Sequence, residues 1–280
     1  MKKIVNELLV GERSLFKGKN LIINNSTFKD GESPLKESNN IKVNNSTFGY
    51  KYPLWYSKNV EVKETLFEPM SRSGIWYTKR INFIDNTVNA PKEFRRSSNI
   101  NIVNTKFSDA EETLWSCNRV SIKDSTFDNA DYLLMNSKNI EIDNITVNGN
   151  YFCDGGRNII VYNSTLNSKD SFWNCKNVYL ENCTVNGEYF GWNSENVTLV
   201  NCKVKSHQGF CYMKNLKMIN CTLEETDLAF EYSTVDATIN SNIDSIKNPI
   251  AGRIECDSVN EFIKDEVDFN KFSLIERKRK

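Results

Sequence analysis

The chain has 280 residues, 39% hydrophobic and 11% aromatic, enough for a buried core in one or two domains. Lys plus Arg and Asp plus Glu both number 36, so the formal charge is zero and the basic surplus of a nucleic-acid binder is absent. No apolar run approaches the length that crosses a bilayer, and Asn6 and Glu7 interrupt the stretch where a signal peptide would be apolar; the expected setting is cytoplasmic, with no nucleic-acid or membrane partner.

From Leu21 onward the chain repeats. With the first apolar residue of each copy as a marker, the series is Leu21, Ile41, Val60, Ile81, Ile100, Val120, Ile140, Ile159, Val178, Val197 and Leu216, at intervals of 20, 19, 21, 19, 20, 20, 19, 19, 19 and 19. Eleven copies at this period mean stacked units, each too short to fold alone. The copy at Val178 is typical: apolar at Val178 and Leu180, a turn at Asn182, apolar again at Val185, with no helical period. The offsets fit neither six-residue nor five-residue repeats. The expected fold is all-β, a single-stranded right-handed parallel β-helix of about 11–12 coils of 19–21 residues, forming one domain over 1–280. Residues up to about 12 are expected as an N-terminal cap, and about 245–280 as a C-terminal cap ending in a charged tail from Glu276 to Lys280.

Columns in register should stack at about 4.8 Å. Four residues after the marker come Asn25, Asn45, Asn104, Asn144, Asn163, Asn182, Asn201 and Asn220, with Glu64, Asp85 and Asp124 among them. This reads as an inward ladder of amides, each donating to one coil and accepting from the next. A second ladder runs just before the marker, from Asn20 to Asn215. The eight cysteines lack zinc-site spacing and are expected to be reduced, with no metal or other cofactor. Cys183, Cys202 and Cys221 share one column and read as small residues filling a narrow turn rather than as a soft-metal site.

Two columns carry the candidate chemistry. Five residues before the marker lie Trp55, Trp76, Trp115, Trp173 and Trp192, all the tryptophans of the chain, in a column expected to face outward. Flat rings repeated at the coil spacing suit sugar rings lying along the coils, so Trp55, Trp76, Trp115, Lys169, Trp173, Tyr189, Trp192 and Tyr212 are the candidate substrate-binding residues. Nine residues before the marker, a charged column holds Lys169, Glu188 and the single histidine, His207, and Asp227 extends it. With Asp170 and Glu231 alongside, the candidate catalytic residues are Asp170, Glu188, His207, Asp227 and Glu231. Glu188 and Asp227, two coils apart, would have backbones about 9–10 Å apart, within reach of the carboxylate separation used in inverting glycoside hydrolysis. Crowded carboxylates would push one towards protonation while Lys169 or His207 holds its neighbour ionised. The plain alternative is that alternating charges pair along a solvated face. The functional readings are thus a carbohydrate-binding or carbohydrate-hydrolysing protein with an oligosaccharide partner, or a non-catalytic scaffold whose stripe docks a protein or a second copy as a homodimer. The N-terminal mixture of Glu32, Lys36, Arg72, Arg95 and Glu111 suits holding an acidic ligand better than splitting one.

The detail of the coils resembles the bacterial domain-of-unknown-function 3737 family, within the pectin-lyase-like β-helix proteins. The likeness is carried by Gly31 to Ser38, Tyr52-Pro53-Leu54-Trp55, Ala110 to Trp115, Lys169 to Trp173, Glu188 to Trp192, Asp227 to Tyr232 and Ser245 to Pro249. It implies a right-handed β-helix and no particular reaction. Relatives of the fold often act on polysaccharides, which makes a glycoside hydrolase or related enzyme an analogy from fold. The Asp-Asp pair and His-Gly step of polygalacturonase-like helices are missing, as is the calcium cluster of pectate lyases.

Overall fold

The computed structural model describes residues 1–265 and 267–277; residues 278–280 of the expected charged tail lie outside the described residues. The chain divides into two compact units, Met1–Asn148 and Gly149–Lys280. Both are parallel β-solenoids, with about 14 turns among the described residues and almost no helix. The only helical turns described are the 3-10 turns Pro69–Ser71 and Phe269–Lys271.

The markers set the register. In the first unit Leu21, Ile41, Val60, Ile81, Ile100, Val120 and Ile140 stand beside one another on successive parallel strands. In the second, Ile159, Val178, Val197, Leu216 and Val235 do the same. Every marker is buried, as alternation requires of a strand with one face on a core. Phenylalanines fill the interior in stacks, such as Phe28 on Phe48 at 4.7 Å, Phe107 on Phe127 at 4.6 Å and Phe210 on Phe230 at 5.2 Å between ring centroids.

There are more turns than the 11–12 expected because the segments at both ends join the stack. Strand Lys2–Val5 pairs in parallel with Lys19–Asn24, and Leu8–Val10 with Thr27–Lys29. In the second unit Thr234–Ile239, Ala251–Cys256 and Phe272–Glu276 follow in register.

The asparagine ladders are real but face the other way. Asn45 donates to Asn25 at 2.9 Å, Asn182 to Asn163 at 3.3 Å and Asn196 to Asn177 at 3.0 Å, and all of these side chains are exposed. The expectation of buried amides is therefore corrected. What selects asparagine is the backbone: Asn25, Asn45, Asn182 and Asn201 have φ of 51°, 44°, 55° and 51°. That left-handed region is one that asparagine tolerates better than most L-residues. The buried polar ladders are built from hydroxyls instead. Three residues before the marker, Thr78 accepts from the Ser57 amide at 3.3 Å and Ser97 from the Thr78 amide at 3.0 Å. Five after it, Ser46 accepts from the Ser26 amide at 3.1 Å. A short side chain reaching the next turn's amide satisfies a donor that no water can reach.

Five cysteines occupy the same two columns, Cys117 and Cys175 before the marker and Cys183, Cys202 and Cys221 after it. All eight thiols are free and buried. Burial pushes Cys117 and Cys175 up to about 12. The stacked thiols of Cys183 and Cys202 share a hydrogen bond, which lowers Cys183 and pushes Cys202 up to about 12.

Candidate functional site

The tryptophan column lies at a corner made of left-handed residues. In the first unit Trp55 and Trp76 stack at 5.2 Å with 9° between their planes, and the Arg95 guanidinium sits 4.5 Å from both the Trp76 and Trp115 rings. In the second unit Trp173 and Trp192 stack at 5.6 Å and 10°. All five indoles are half-buried. Each also spends its N–H on the next turn: Trp55 on Ser73 O, Trp76 on Lys92 O, Trp115 on Tyr132 O, Trp173 on Tyr189 O and Trp192 on Gln208 O. The expectation of flat faces turned outward does not survive this geometry. Rings that stack on one another along the coils leave their edges, not their faces, to solvent. The column stabilises the corner by ring–ring and cation–π contact as well as by hydrogen bonds.

The charged column of the second unit is assembled as expected. Glu188 and His207 are register partners on adjacent strands, Thr184–Glu188 and Lys203–His207. Lys169 Nζ is 2.9 Å from Glu188 Oε1, and His207 Nδ1 is 2.7 Å from Asp227 Oδ1. The amide of Asp170 donates to Glu188 O at 2.9 Å, and that of Tyr189 to His207 O at 2.8 Å. Tyr189 links the row to the indoles, with its ring 5.5 Å from Trp192 and 5.7 Å from His207. Tyr212 closes the aromatic side, 5.4 Å from Trp192 and 43% exposed.

Glu231 stands apart. It is 6% exposed, its Oε1 lies 2.8 Å from Lys247 Nζ, and its carbonyl accepts from the Tyr212 amide. It thus continues the tryptophan column rather than the charged row. Trp55, Trp76 and Trp115 belong to the first unit, with the cations Lys36 and Arg95 rather than with the acids.

Protonation separates the carboxylates. Burial raises Asp170 from its ordinary value, and the nearby Glu188 and Asp154 charges add to the rise while Lys169 opposes it. The hydrogen bond and charge of Glu188 raise Lys169 in turn. Asp154, absent from the expected site residues, is the part that sequence reading missed. It accepts from Asn174 at 3.0 Å and its charge acts on Asp170. The signal was its place among tryptophans, where an acid breaks the habit of the column. Among the described residues, no group of three or more His, Cys, Asp or Glu is placed to hold a metal ion.

The chain belongs to the family described as protein of unknown function DUF3737, which it matches over residues 2–275. A comparison with curated proteins finds no match. Among solved structures it is similar to the A-module of the mannuronan C-5 epimerase AlgE4 of Azotobacter vinelandii, at 11% identity, over 91% of this chain and 83% of that one, with a TM-score of 0.30. It is also similar to PfbA, a surface adhesin of Streptococcus pneumoniae, at 9% identity, over 87% and 68% of the two chains, with a TM-score of 0.25. A third is the catalytic domain of a GH87 α-1,3-glucanase, solved with tetrasaccharides, at 10% identity, over 98% and 63%, with a TM-score of 0.24.

Proposed function

We propose that this family member binds a neutral oligosaccharide along the face of its second unit, with Lys169, Asp170, Glu188, Tyr189, His207 and Asp227 making the contacts. The observation that carries the reading is the asymmetry of the acids. Lys169 pairs with Glu188 at 2.9 Å, while Asp170 is pushed towards its protonated form beside it. A proton donor next to a fixed carboxylate is the pairing that general acid–base cleavage of a glycosidic bond uses. In that chemistry Asp170 would give its proton to the leaving oxygen. Glu188, held by Lys169 one turn from Asp170 and so about 4.8 Å along the stack, would be the partner carboxylate, near the roughly 5–5.5 Å separation of retaining enzymes. Asp227, paired with His207, stands three turns from Asp170.

The sugar is neutral because the cations of the row are already matched. Lys169 faces Glu188 and His207 faces Asp227, with Asp154 and Asp170 in addition. A uronic or sulfated sugar would meet this surface with its own charge unpaired. The edges of Trp192 and Tyr212 border the row rather than stacking on the ligand.

A second reading, a scaffold whose face docks a protein or another copy of the chain, is favoured by one observation. The indole N–H groups and ring faces are spent within the fold. A panel of neutral and acidic oligosaccharides, read by calorimetry and by release of reducing ends, tests the first reading. Binding to a neutral glycan should weaken at least tenfold in Glu188→Gln and in Asp227→Asn. Full affinity in both variants, with the fold intact, removes the charged row from function. A tight dimer in solution with no glycan bound transfers the case to the scaffold.

A further inference from the structure

Glu93 is fully buried, in the column seven residues before the marker, where the preceding turns carry Pro34, Pro53 and Gly74 and the next one carries Thr113. Around it the corner peptide reverses direction. In the first turns the amide that follows this column points forward: Leu15 donates to Pro34 O, Leu35 to Pro53 O and Leu54 to Gly74 O, at 2.9, 3.0 and 2.8 Å. Later it points back, from Leu114 to Glu93 O at 2.8 Å and from Leu134 to Thr113 O at 3.0 Å. The dihedrals record the same rotation. Phe94, Leu114 and Leu134 have φ of 61°, 62° and 64°, whereas Leu15, Leu35, Leu54 and Ile75 are not in that region.

The reversal falls between the turns of Ile75 and Phe94. There the carbonyls of Gly74 and Glu93 both face away from the gap, each accepting from the turn beyond. Amides converge on the gap without a backbone acceptor, and a buried amide must find one. The Glu93 side chain supplies it. Its Oε1 accepts from the Gly74 amide at 3.1 Å, and the Ile75 amide also acts on the carboxyl. Pro34 and Pro53 have no N–H to satisfy at this position, but Gly74 has. Glycine is required there for room as well, since a Cβ would lie 2.5 Å from Glu93 Oε2. That oxygen is buried and has no hydrogen-bond partner.

We infer that Glu93 is the acceptor that allows the peptide reversal, and that its sealed carboxyl makes the seam between residues 74 and 94 a pH-sensitive latch, closed while the acid is neutral and loosened when it ionises. The charged groups at this corner of the three turns are Arg72 below, Lys92, Arg95 and Arg96 on its own turn, and Glu111 and Glu112 above. Glu112 takes up Lys92 at 3.3 Å and Arg95 at 2.9 Å, and Arg95 lies between two indoles. Arg72 and Glu111 are exposed. Burial holds the Glu93 carboxyl well above the usual carboxylate range, with the Gly74 and Ile75 amides opposing. An unfolded glutamate ionises near pH ~4.3. The folded state keeps its proton to higher pH, so stability falls as pH rises from there through the folded value.

Thermal melts at pH 5 and pH 8, with amide exchange of Gly74 and Ile75 corrected for its intrinsic pH dependence, test the latch. Glu93→Gln keeps an acceptor oxygen but cannot ionise. Relative to that variant the wild type should melt lower at pH 8 than at pH 5 by at least about 3 °C. Its Gly74 and Ile75 protection should fall at least tenfold over the same range while that of Glu93→Gln stays level. Parallel curves for the two proteins overturn the latch. Glu93→Leu removes the acceptor, and wild-type protection of both amides in that variant, or in its folded fraction, overturns the role in the reversal.

Discussion

Replacing Asn182 in two ways separates backbone from side chain in the exposed ladders. Asn182 has φ of 55°, donates to Asn163 at 3.3 Å and accepts from Asn201 at 3.4 Å. Both bonds are long and exposed, so together they contribute about 0.5–1 kcal/mol, the low end of the usual range. Holding a leucine in the left-handed region costs about 1–2 kcal/mol. Glycine avoids that strain but loses about 0.5–1 kcal/mol to the freedom of its unfolded chain. Asn182→Leu should therefore be the worse variant by about 1 kcal/mol, a difference of about 2–4 °C in melting temperature. Differential scanning calorimetry at neutral pH, with reversibility checked, reads the difference directly. Buried amides would give the opposite order or none, since either substitution would strand the same neighbours. If Asn182→Gly melts at or below Asn182→Leu, the amide contacts and not the backbone conformation decide this position.

Other consequences are testable with simple assays. Trp192→Ala removes a half-buried indole and its bond to Gln208 O at 2.7 Å, and should cost about 2–3 kcal/mol of stability whether or not any glycan binds; a variant that loses glycan affinity at unchanged stability would return the indole to the ligand. The thiols should be inert in the native protein at pH 8, with all eight reacting with a thiol reagent after unfolding. Cys183 is the sharpest case, since its shared bond with Cys202 lowers it but it is 2% exposed; fast native labelling at Cys183 would show that the column opens.

The repeat was legible because its cause is local. A strand buried on one face must alternate, and a stacked turn must return to the same register, so Val178, Leu180 and Val185 announce both at once. The direction of the asparagine ladders was not legible. A residue chosen for a left-handed dihedral and one chosen for buried amide bonds leave the same letter at the same spacing. The inward hydroxyls of Ser57, Thr78 and Ser97 were hidden for the complementary reason, since small polar residues read as turn or surface. Glu93 was invisible among the acids of the corner, because what distinguishes it is the peptide that rotates beside it.

The charged row shows why function is harder to read than fold on such a scaffold. Lys169, Glu188, His207 and Asp227 recur at the coil spacing, and that spacing alone is equally the pattern of a solvated face and of an active one. Distances do not break the tie, because Lys169 to Glu188 at 2.9 Å and His207 to Asp227 at 2.7 Å suit both. The difference lies in the acid left over. On a face that exists only to be solvated, each carboxylate gains by meeting a cation or water, and crowding a further one has no return. Asp170 is instead partly buried next to Glu188, with Asp154 also acting on it, which raises the energy of its anion. An acid whose anion is crowded in this way is a candidate for proton transfer, since perturbed acids concentrate where protons are transferred. Asp170→Asn therefore distinguishes the two cases on its own. It should leave stability unchanged or raise it while abolishing any turnover, whereas a decorative acid would leave turnover intact.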